Sequence, residues 1–144
     1  MFAAEYRWIP FFARAASRWG FVLLQRGHRD EVERVLADLV AALKAGERVS
    51  MAPEGHLSSD GKVGHFKRGA FLVAIRAGVP VVPMAVRGGH DILPPGTLRM
   101  RPGVLRYRVG KSLTTQGLSE ADAPALADRA RSAVAELFEA LPAS

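Results

Sequence analysis

Cysteine is absent from this chain of 144 residues. Its absence excludes disulfide bonds and thiolate chemistry, and it is compatible with a reducing cytoplasm. Long apolar runs are also missing, because Arg14 and Arg18 interrupt one candidate and Arg76 interrupts the other. Neither run reaches the roughly 18 residues that a membrane-spanning helix needs, and the sequence shows no cleavable export signal. We therefore expect a cytoplasmic location, with any membrane contact made at the surface.

Acidic residues are outnumbered by basic ones. The chain has 14 Asp and Glu against 20 Lys and Arg, which gives a formal net charge of +6. This surplus predicts an acidic partner, and anionic lipid headgroups, phosphorylated substrates and nucleic acid all fit the charge alone. Nucleic acid is the weakest of the three, because the sequence lacks aromatic residues interleaved on a basic sheet and any known reader motif. We expect no nucleic-acid partner.

The length and the 49% hydrophobic content suffice for one domain with its own core, spanning residues 1–144. The clearest helix pattern covers residues 30–44, where apolar residues recur at intervals of three and four. Apolar runs on either side of this helix predict strands at residues 21–25 and 47–52. Such a strand–helix–strand unit predicts parallel pairing with a right-handed crossover.

Three further elements follow along the chain. The run VPVVPMAV predicts a strand over residues 79–86, at an edge or with a late start because Pro80 and Pro83 cannot donate to a ladder. Alternating residues predict a strand over residues 104–110, with Leu105, Tyr107 and Val109 on its buried side. Residues 119–141 predict a final helix with a capping box formed by Ser119 and Asp122. The expected fold class is α/β, a mixed and mostly parallel sheet flanked by helices.

A Pro-Glu-Gly corner directly follows the second predicted strand. Glu54 and Gly55 therefore sit at the carboxyl end of that strand, the edge where open α/β sheets bind ligands. After a polar loop, a helix predicted over residues 66–78 opens with Lys67 and Arg68, although the helix dipole disfavours cations there. These cations indicate an anionic ligand nearby, although a solvated basic helix face explains the same composition.

The predicted topology brings an arginine to the same edge. Arg26 follows the first predicted strand, and a parallel crossover places it beside Glu54. A guanidinium group binds phosphate through paired hydrogen bonds. An arginine at the end of a strand is more often plain surface, so Arg26 gains its interest from the glutamate corner downstream.

Three sequence runs carry a family resemblance: APEG at 52–55, FKRGAF at 66–71 and VPVVPM at 79–84. In this order and spacing they resemble the phospholipid/glycerol acyltransferase family, the lysophosphatidic acid acyltransferases in particular. The resemblance implies a glycerol-phosphate acyltransferase-like fold and transfer of an acyl group to a lysophospholipid or glycerophosphate hydroxyl in phospholipid biosynthesis. It also implies acyl-CoA or acyl-carrier protein as co-substrate and no bound cofactor.

The resemblance further implies which residues bind the acceptor. They are Arg26, Glu54, Gly55, His56 and Lys67. His56 and Leu57 stand where the family usually has threonine and arginine, so one phosphate-binding cation is lost. A protonated His56 would restore part of that interaction. His56, Asp60 and His65 would also suit a metal, but loop composition explains them more simply and we expect no metal.

The catalytic His-x-x-x-x-Asp motif of the family is missing. In the family its histidine is the general base that removes the proton of the acceptor hydroxyl, and its aspartate orients the imidazole. The residues five positions after the four histidines are Glu33, Gly61, Ala70 and Pro95. We therefore predict no catalytic residue in this sequence. We expect an N-terminally truncated acyltransferase whose Met1 is internal, and the alternative is a catalytically silent relative that binds lipid.

Residues 7–19 predict a helix with two contrasting faces. Trp8, Phe11 and Phe12 form an aromatic stripe, and Arg14 falls on a different face. An interfacial helix would place its rings at headgroup depth and its arginines at lipid phosphates. For the whole helix we favour ordinary core packing with solvated arginines, and we favour the interface only for its first turn, where Trp8 and Phe12 follow a polar start. With the positive net charge, the resemblance leads us to expect peripheral attachment to an anionic membrane surface, on the inner face of the membrane.

Overall fold

The computed structural model describes residues 2–3, 23–24, 29–55, 63–94, 97 and 99–142, and the structural statements below concern those residues. The strands are β1 (Phe2–Ala3), β2 (Leu23–Leu24), β3 (Met84–Arg87) and β4 (Arg106–Val109). The helices are α1 (Arg29–Lys44), α2 (Gly69–Ala77), the one-turn α3 (Gly89–Ile92) and α4 (Ala123–Glu139). A 3₁₀ turn at Glu120–Asp122 leads into α4.

Helix α1 confirms the helix predicted over residues 30–44 to within one residue. Leu36 and Leu39 are buried and form a cluster with Val73 of α2. Burial of each such leucine contributes roughly 1.5–3 kcal/mol, so the apolar stripe accounts for the position of α1 against α2. Val32 lies at the edge of the same stripe and is 36% exposed.

Helix α2 lies between α1 and α4. Phe71 and Val73 are two residues apart, which places them on opposite sides of a helix with 3.6 residues per turn. Val73 belongs to the buried cluster with Leu36 of α1, whereas Phe71 belongs to the cluster with Leu126 of α4. A helix of nine residues is marginal in water by itself, so burial on two sides stabilises it.

The start of α2 differs from the prediction. We predict a helix from residue 66 with Lys67 in its first turn, and the observed helix begins at Gly69. Phe66 is buried and stacks on Phe71, with ring centroids 6.2 Å apart. The Lys67 N–H donates to the Pro53 carbonyl oxygen at 2.9 Å. Because its amide is bonded to the corner, Lys67 precedes the helix.

Strand pairing is mixed, but the mostly parallel sheet is not confirmed. In the part of the chain that the structure describes, β1 pairs with β2 in parallel and β3 pairs with β4 antiparallel, as two separate sheets. Residues 88–105 link β3 to β4, and their described part includes the one-turn α3. The chain returns antiparallel to β3, so this pair adds no parallel ladder. Strand β3 begins directly after Pro83, as the exclusion of proline from a ladder predicts.

The strand predicted over residues 47–52 is wrong. These residues have no ladder partner within the described ranges, and β2 pairs with β1 instead. Val49 and Met51 are nevertheless half-buried against the cluster of α1 and α2. The alternating pattern indicated which side chains face the core, but a strand also requires a hydrogen-bonded neighbour.

The buried side predicted for β4 is also wrong. Leu105, Tyr107 and Val109 are 55%, 68% and 56% exposed. The opposite face is covered by α4, where the Arg87 guanidinium lies 4.2 Å from the ring centroid of Phe138 and donates to its carbonyl oxygen at 3.0 Å. The sheet packs on its arginine-bearing side because a guanidinium stacks on an aromatic ring while its stem covers apolar surface.

The start of α4 confirms the predicted capping box. Ser119 donates its hydroxyl (2.7 Å) and its N–H (2.8 Å) to the Asp122 carboxylate. These two hydrogen bonds, the hydroxyl first, lower the pKa of Asp122. Local sequence alone therefore fixes where the last helix begins.

Arg76, near the end of α2, joins two other elements. Its guanidinium lies 2.9 Å from Glu120 Oε1 and 3.2 Å from Glu33 Oε2. The hydrogen bond from Arg76 lowers the pKa of Glu120 below its ordinary value of 4.5. Both carboxylates are more than half exposed, so the network contributes modestly and is screened by salt.

The Arg76 network is expected to stabilise the fold only where Glu120 is ionised. Because the pKa of Glu120 is lowered by folding, the contribution is complete above its ordinary value and is lost as the pH falls through the folded-state value. Arg76→Gln should lower the free energy of unfolding at neutral pH. The variant should also lose less of this free energy than the wild type when the pH is lowered until Glu120 is protonated. Urea denaturation at neutral and at acidic pH measures both effects.

Arg129→Gln is the matched control, because it removes the same charge from an exposed position on α4. It should keep the pH dependence of the wild-type protein. Identical pH dependence in the Arg76→Gln variant and the wild type would contradict the assignment.

Candidate functional site

Residues 53–55 form a tight turn between the segment after α1 and the loop that follows. The Gly55 N–H donates to the Ala52 carbonyl oxygen at 3.2 Å, and Gly55 has a φ of 70°. Residues with a Cβ atom disfavour this left-handed conformation, so the turn favours glycine. Pro53 restricts the backbone at the entrance, and the two residues together hold Glu54 at the apex.

Glu54 is half-buried, and its carboxylate closes the loop that follows it. Its Oε1 accepts a hydrogen bond from the Gly64 N–H at 2.7 Å. Gly64 lies ten residues further along the chain, beyond residues 56–62. A hydrogen bond to a carboxylate is shorter and stronger than one between neutral groups. This bond therefore ties the two ends of the loop together and fixes the direction of the carboxylate.

The Lys67 side chain lies over the same corner. A Cβ atom placed on Gly55 would stand 3.0 Å from Lys67 Nζ and 3.3 Å from Cε, so the ammonium group and its stem pass directly above the glycine. The Lys67 N–H is bonded to Pro53, which fixes the backbone to the turn as well. The corner thus carries a cation over Gly55 and a carboxylate on the preceding residue, Glu54, a combination that suits a ligand with an anionic group and a hydroxyl.

Gly64 and Arg131, which the sequence analysis did not identify, support the corner from the far side of the loop. The Gly64 carbonyl oxygen accepts a hydrogen bond from Arg131 Nε of α4 at 3.0 Å. Val63 packs against the buried cluster that contains Phe66. The sequence gives no signal for either role, because Gly64 acts through its backbone and Arg131 is 67 residues away.

The structure brings together three of the five residues predicted for the site. They are Glu54, Gly55 and Lys67. Arg26 and His56 lie outside the described residues, so their place in the site and the edge shared by Arg26 and Glu54 stay predictions. Among the residues that the structure describes, no group of three or more His, Asp or Glu side chains is arranged to hold a metal ion.

Comparison with known proteins decides the family. The sequence model described as Acyltransferase matches residues 1–87, more than half of the chain. The chain belongs to the acyltransferase family. The matched region includes the corner, α2 and β3, so the acyltransferase resemblance noted in the sequence is confirmed.

Curated acyltransferases are similar to this chain over most of its length. A chloroplastic 1-acyl-sn-glycerol-3-phosphate acyltransferase of Brassica napus is 36% identical over 129 residues, which cover 89% of this chain and 36% of that protein. The human 1-acyl-sn-glycerol-3-phosphate acyltransferase alpha is 32% identical over 135 residues, 93% of this chain and 48% of that protein. The chain spans less than half the length of these two relatives.

A solved acyltransferase structure is similar in fold. The crystal structure of the 1-acyl-sn-glycerophosphate acyltransferase of Thermotoga maritima matches with a TM-score of 0.75 and 27% identity, over 96% of this chain and 54% of that one. The predicted acyltransferase-like fold is therefore confirmed. None of the helices in the described ranges is long and apolar enough to cross a membrane.

Gly55→Ala is expected to disturb the corner in two ways. The left-handed backbone conformation costs a residue with a Cβ roughly 1–2 kcal/mol. The new methyl group also meets the Lys67 ammonium and must displace it. Urea denaturation should show the loss of stability, and the NMR shifts of the Lys67 Cε methylene should change.

Gly78→Ala separates the two effects. Gly78 also has a φ of 70°, but a Cβ there would meet no atom within 4 Å. The control should lose stability to a similar degree and leave the Lys67 shifts unchanged. Equal Lys67 shifts in both variants would contradict the position of the lysine over Gly55.

Proposed function

We propose that this chain binds the acceptor for transfer of an acyl group from acyl-CoA or acyl-carrier protein to the hydroxyl of a lysophospholipid or glycerophosphate, in phospholipid biosynthesis. The observation that carries the proposal is the Lys67 ammonium over Gly55, the residue after the fixed Glu54 carboxylate, with α2 beginning two residues after Lys67. Relatives named for acylation of 1-acyl-sn-glycerol-3-phosphate support this acceptor class.

The acceptor phosphate binds on the cationic side of the corner. Lys67 supplies a positive charge there, and Arg68 adds a second exposed one. The first N–H groups of any α-helix have no partner within the helix, and the macrodipole makes that end attractive to anions. The start of α2 adds these donors beside Lys67. Family resemblance adds Arg26 and His56 as further phosphate contacts.

Glu54 orients the glycerol part of the acceptor. A carboxylate repels phosphate and accepts hydrogen bonds from hydroxyl groups. The ligand is therefore directed with its phosphate at Lys67 and a hydroxyl toward Glu54. The bond from Gly64 holds the carboxylate in place before the ligand arrives, so less ordering is needed on binding.

The reaction itself moves one acyl group. The acceptor hydroxyl oxygen attacks the thioester carbonyl carbon, a C–O bond forms, the C–S bond breaks, and the thiolate leaves. The hydroxyl proton needs a general base, which the family draws from its His-x-x-x-x-Asp motif. Since no histidine of this sequence stands in that motif, we assign acceptor binding, and no base, to its residues. The reaction requires no bound cofactor.

Glu54→Ala should weaken acceptor binding and abolish any acyl transfer that the wild-type chain carries out. The assay follows phosphatidate formed from radiolabelled lysophosphatidate and oleoyl-CoA, and calorimetry follows the binding of glycerol 3-phosphate. We expect the variant to lose turnover and to bind the probe at least tenfold more weakly, because the hydroxyl loses a charged acceptor. Glu139→Ala, which removes an exposed carboxylate at the end of α4, should behave as the wild type.

These two measurements distinguish an active acyltransferase from a catalytically silent relative that binds lipid. Probe binding without turnover in the wild-type chain would show a protein that binds lipid but is catalytically silent. Full turnover in the Glu54→Ala variant would contradict the assignment of the corner.

Attachment to an anionic membrane surface is part of the same proposal, on the inner face of the membrane. Residues 99–111 contain no acidic residue, and Arg99, Arg101 and Lys111 flank β4 in this stretch. The neighbouring sheet face exposes apolar side chains, among them Met84 (48%), Tyr107 (68%) and Val109 (56%). Each basic residue near an anionic bilayer contributes about 1 kcal/mol, and exposed apolar and tyrosine side chains suit the headgroup region.

Vesicle binding should depend on lipid charge and on salt. The chain is expected to pellet with vesicles containing phosphatidylglycerol, less well as salt rises, and poorly with phosphatidylcholine alone. Replacing Arg99 and Arg101 by glutamine should weaken binding severalfold. The same replacement at the exposed Arg34 and Arg48 serves as a control for net charge. Equal losses in both pairs would contradict a docking surface at residues 99–111.

A further inference from the structure

Arg131 lies outside every run that carries the family resemblance, yet it contacts the segment that holds Glu54. Its Nε donates to the Gly64 carbonyl oxygen at 3.0 Å. The preceding residue, Ala130, is 2% exposed and belongs to the main buried cluster. The arginine is therefore carried by a helix that is itself fixed in the core, and it reaches out to the end of the loop.

Gly64 connects this arginine to the carboxylate. Its N–H donates to Glu54 Oε1 at 2.7 Å, and its carbonyl group is the acceptor for Arg131. The two bonded peptide groups flank a single α-carbon. A glycine leaves this backbone free to turn, so neither bond alone fixes both groups. When both hydrogen bonds of Gly64 are present, its N–H points in one fixed direction, toward Glu54 Oε1.

We propose that Arg131 is a positioning residue for Glu54: it fixes the Gly64 peptide units and so orients the carboxylate of the acceptor site. What Glu54 binds rests on the proposed function, whereas the coupling from Arg131 to Glu54 does not. Arg131 touches no ligand in this scheme. Because the bond from Arg131 is solvent-exposed, its loss should affect the corner far more than the stability of the whole chain.

The packing of residues 63–66 leaves the orientation of the Gly64 peptide groups to the hydrogen bond from Arg131. Val63 and Phe66 anchor this segment to the core through apolar contacts. Apolar contacts are not directional and do not define how a peptide group between them is rotated. The guanidinium supplies the missing direction, since its N–H groups have a fixed planar geometry.

Arg131→Gln, Arg131→Lys and the control Arg129→Gln test the proposal. Arg129 lies two residues away on α4 and is exposed, so its replacement removes the same charge without touching Gly64. Hydrogen exchange of the Gly64 amide reports the bond to Glu54. Urea denaturation reports overall stability, and calorimetry with glycerol 3-phosphate reports the acceptor site.

In Arg131→Gln we expect the Gly64 amide to exchange roughly five- to tenfold faster and the dissociation constant of glycerol 3-phosphate to rise by a similar factor. The urea midpoint should stay close to that of the wild type. Arg131→Lys should restore part of both effects, because an ammonium group also donates to a carbonyl. Arg129→Gln should change neither.

Two results would overturn the proposal. One is unchanged Gly64 exchange in Arg131→Gln, and the other is an equal change in Arg129→Gln. Failure of glycerol 3-phosphate to bind the wild-type chain would count against the proposed function instead. Faster Gly64 exchange confined to the Arg131 variants would still support the positioning role in that case.

Discussion

A charge-assisted hydrogen bond from the Gly64 N–H to Glu54 Oε1 determines where the chain re-enters the core after the loop. Upstream of it lies a turn that favours glycine at position 55, and downstream lies Phe66, buried against Phe71. The bond therefore connects the local turn at Gly55 to the tertiary packing of Phe66. The bond from the Lys67 N–H to the Pro53 carbonyl oxygen is a second connection between the turn and the start of α2.

The core explains why these constraints converge at one place. Helix α2 has few residues and depends on α1 and α4 for its stability. Its first residues follow Lys67, so the packing of three helices sets the position of a single ammonium group. The Lys67 side chain is thus exposed and Glu54 is half-buried, but the backbone that carries them is held by buried contacts. Such an arrangement keeps charged groups solvated while limiting their freedom.

Sequence reasoning succeeded where the cause is local. The span of α1 follows from its apolar period, and the capping box of Ser119 and Asp122 marks the start of α4. The contact of Lys67 with Gly55 follows from a turn and a short loop.

It failed where the cause lies in tertiary packing. The side of β4 that packs is decided by Arg87 stacking on Phe138, and alternation alone assigns the wrong face. Residues 47–52 have the composition of a strand, but composition does not supply a partner. No sequence pattern predicts the role of Arg131, because it hydrogen-bonds to the backbone of a residue 67 positions away. The position of Arg26 relative to Glu54 stays a prediction.

The two-sided burial of α2 also shapes how the protein tolerates mutation. Phe71 and Val73 leave the same short helix in opposite directions. A larger side chain at one position presses the helix toward the other layer, so each has its own set of compensating neighbours. Epistasis in a combinatorial library should therefore divide into two groups, one shared with α1 and one shared with α4, with α2 as the common member.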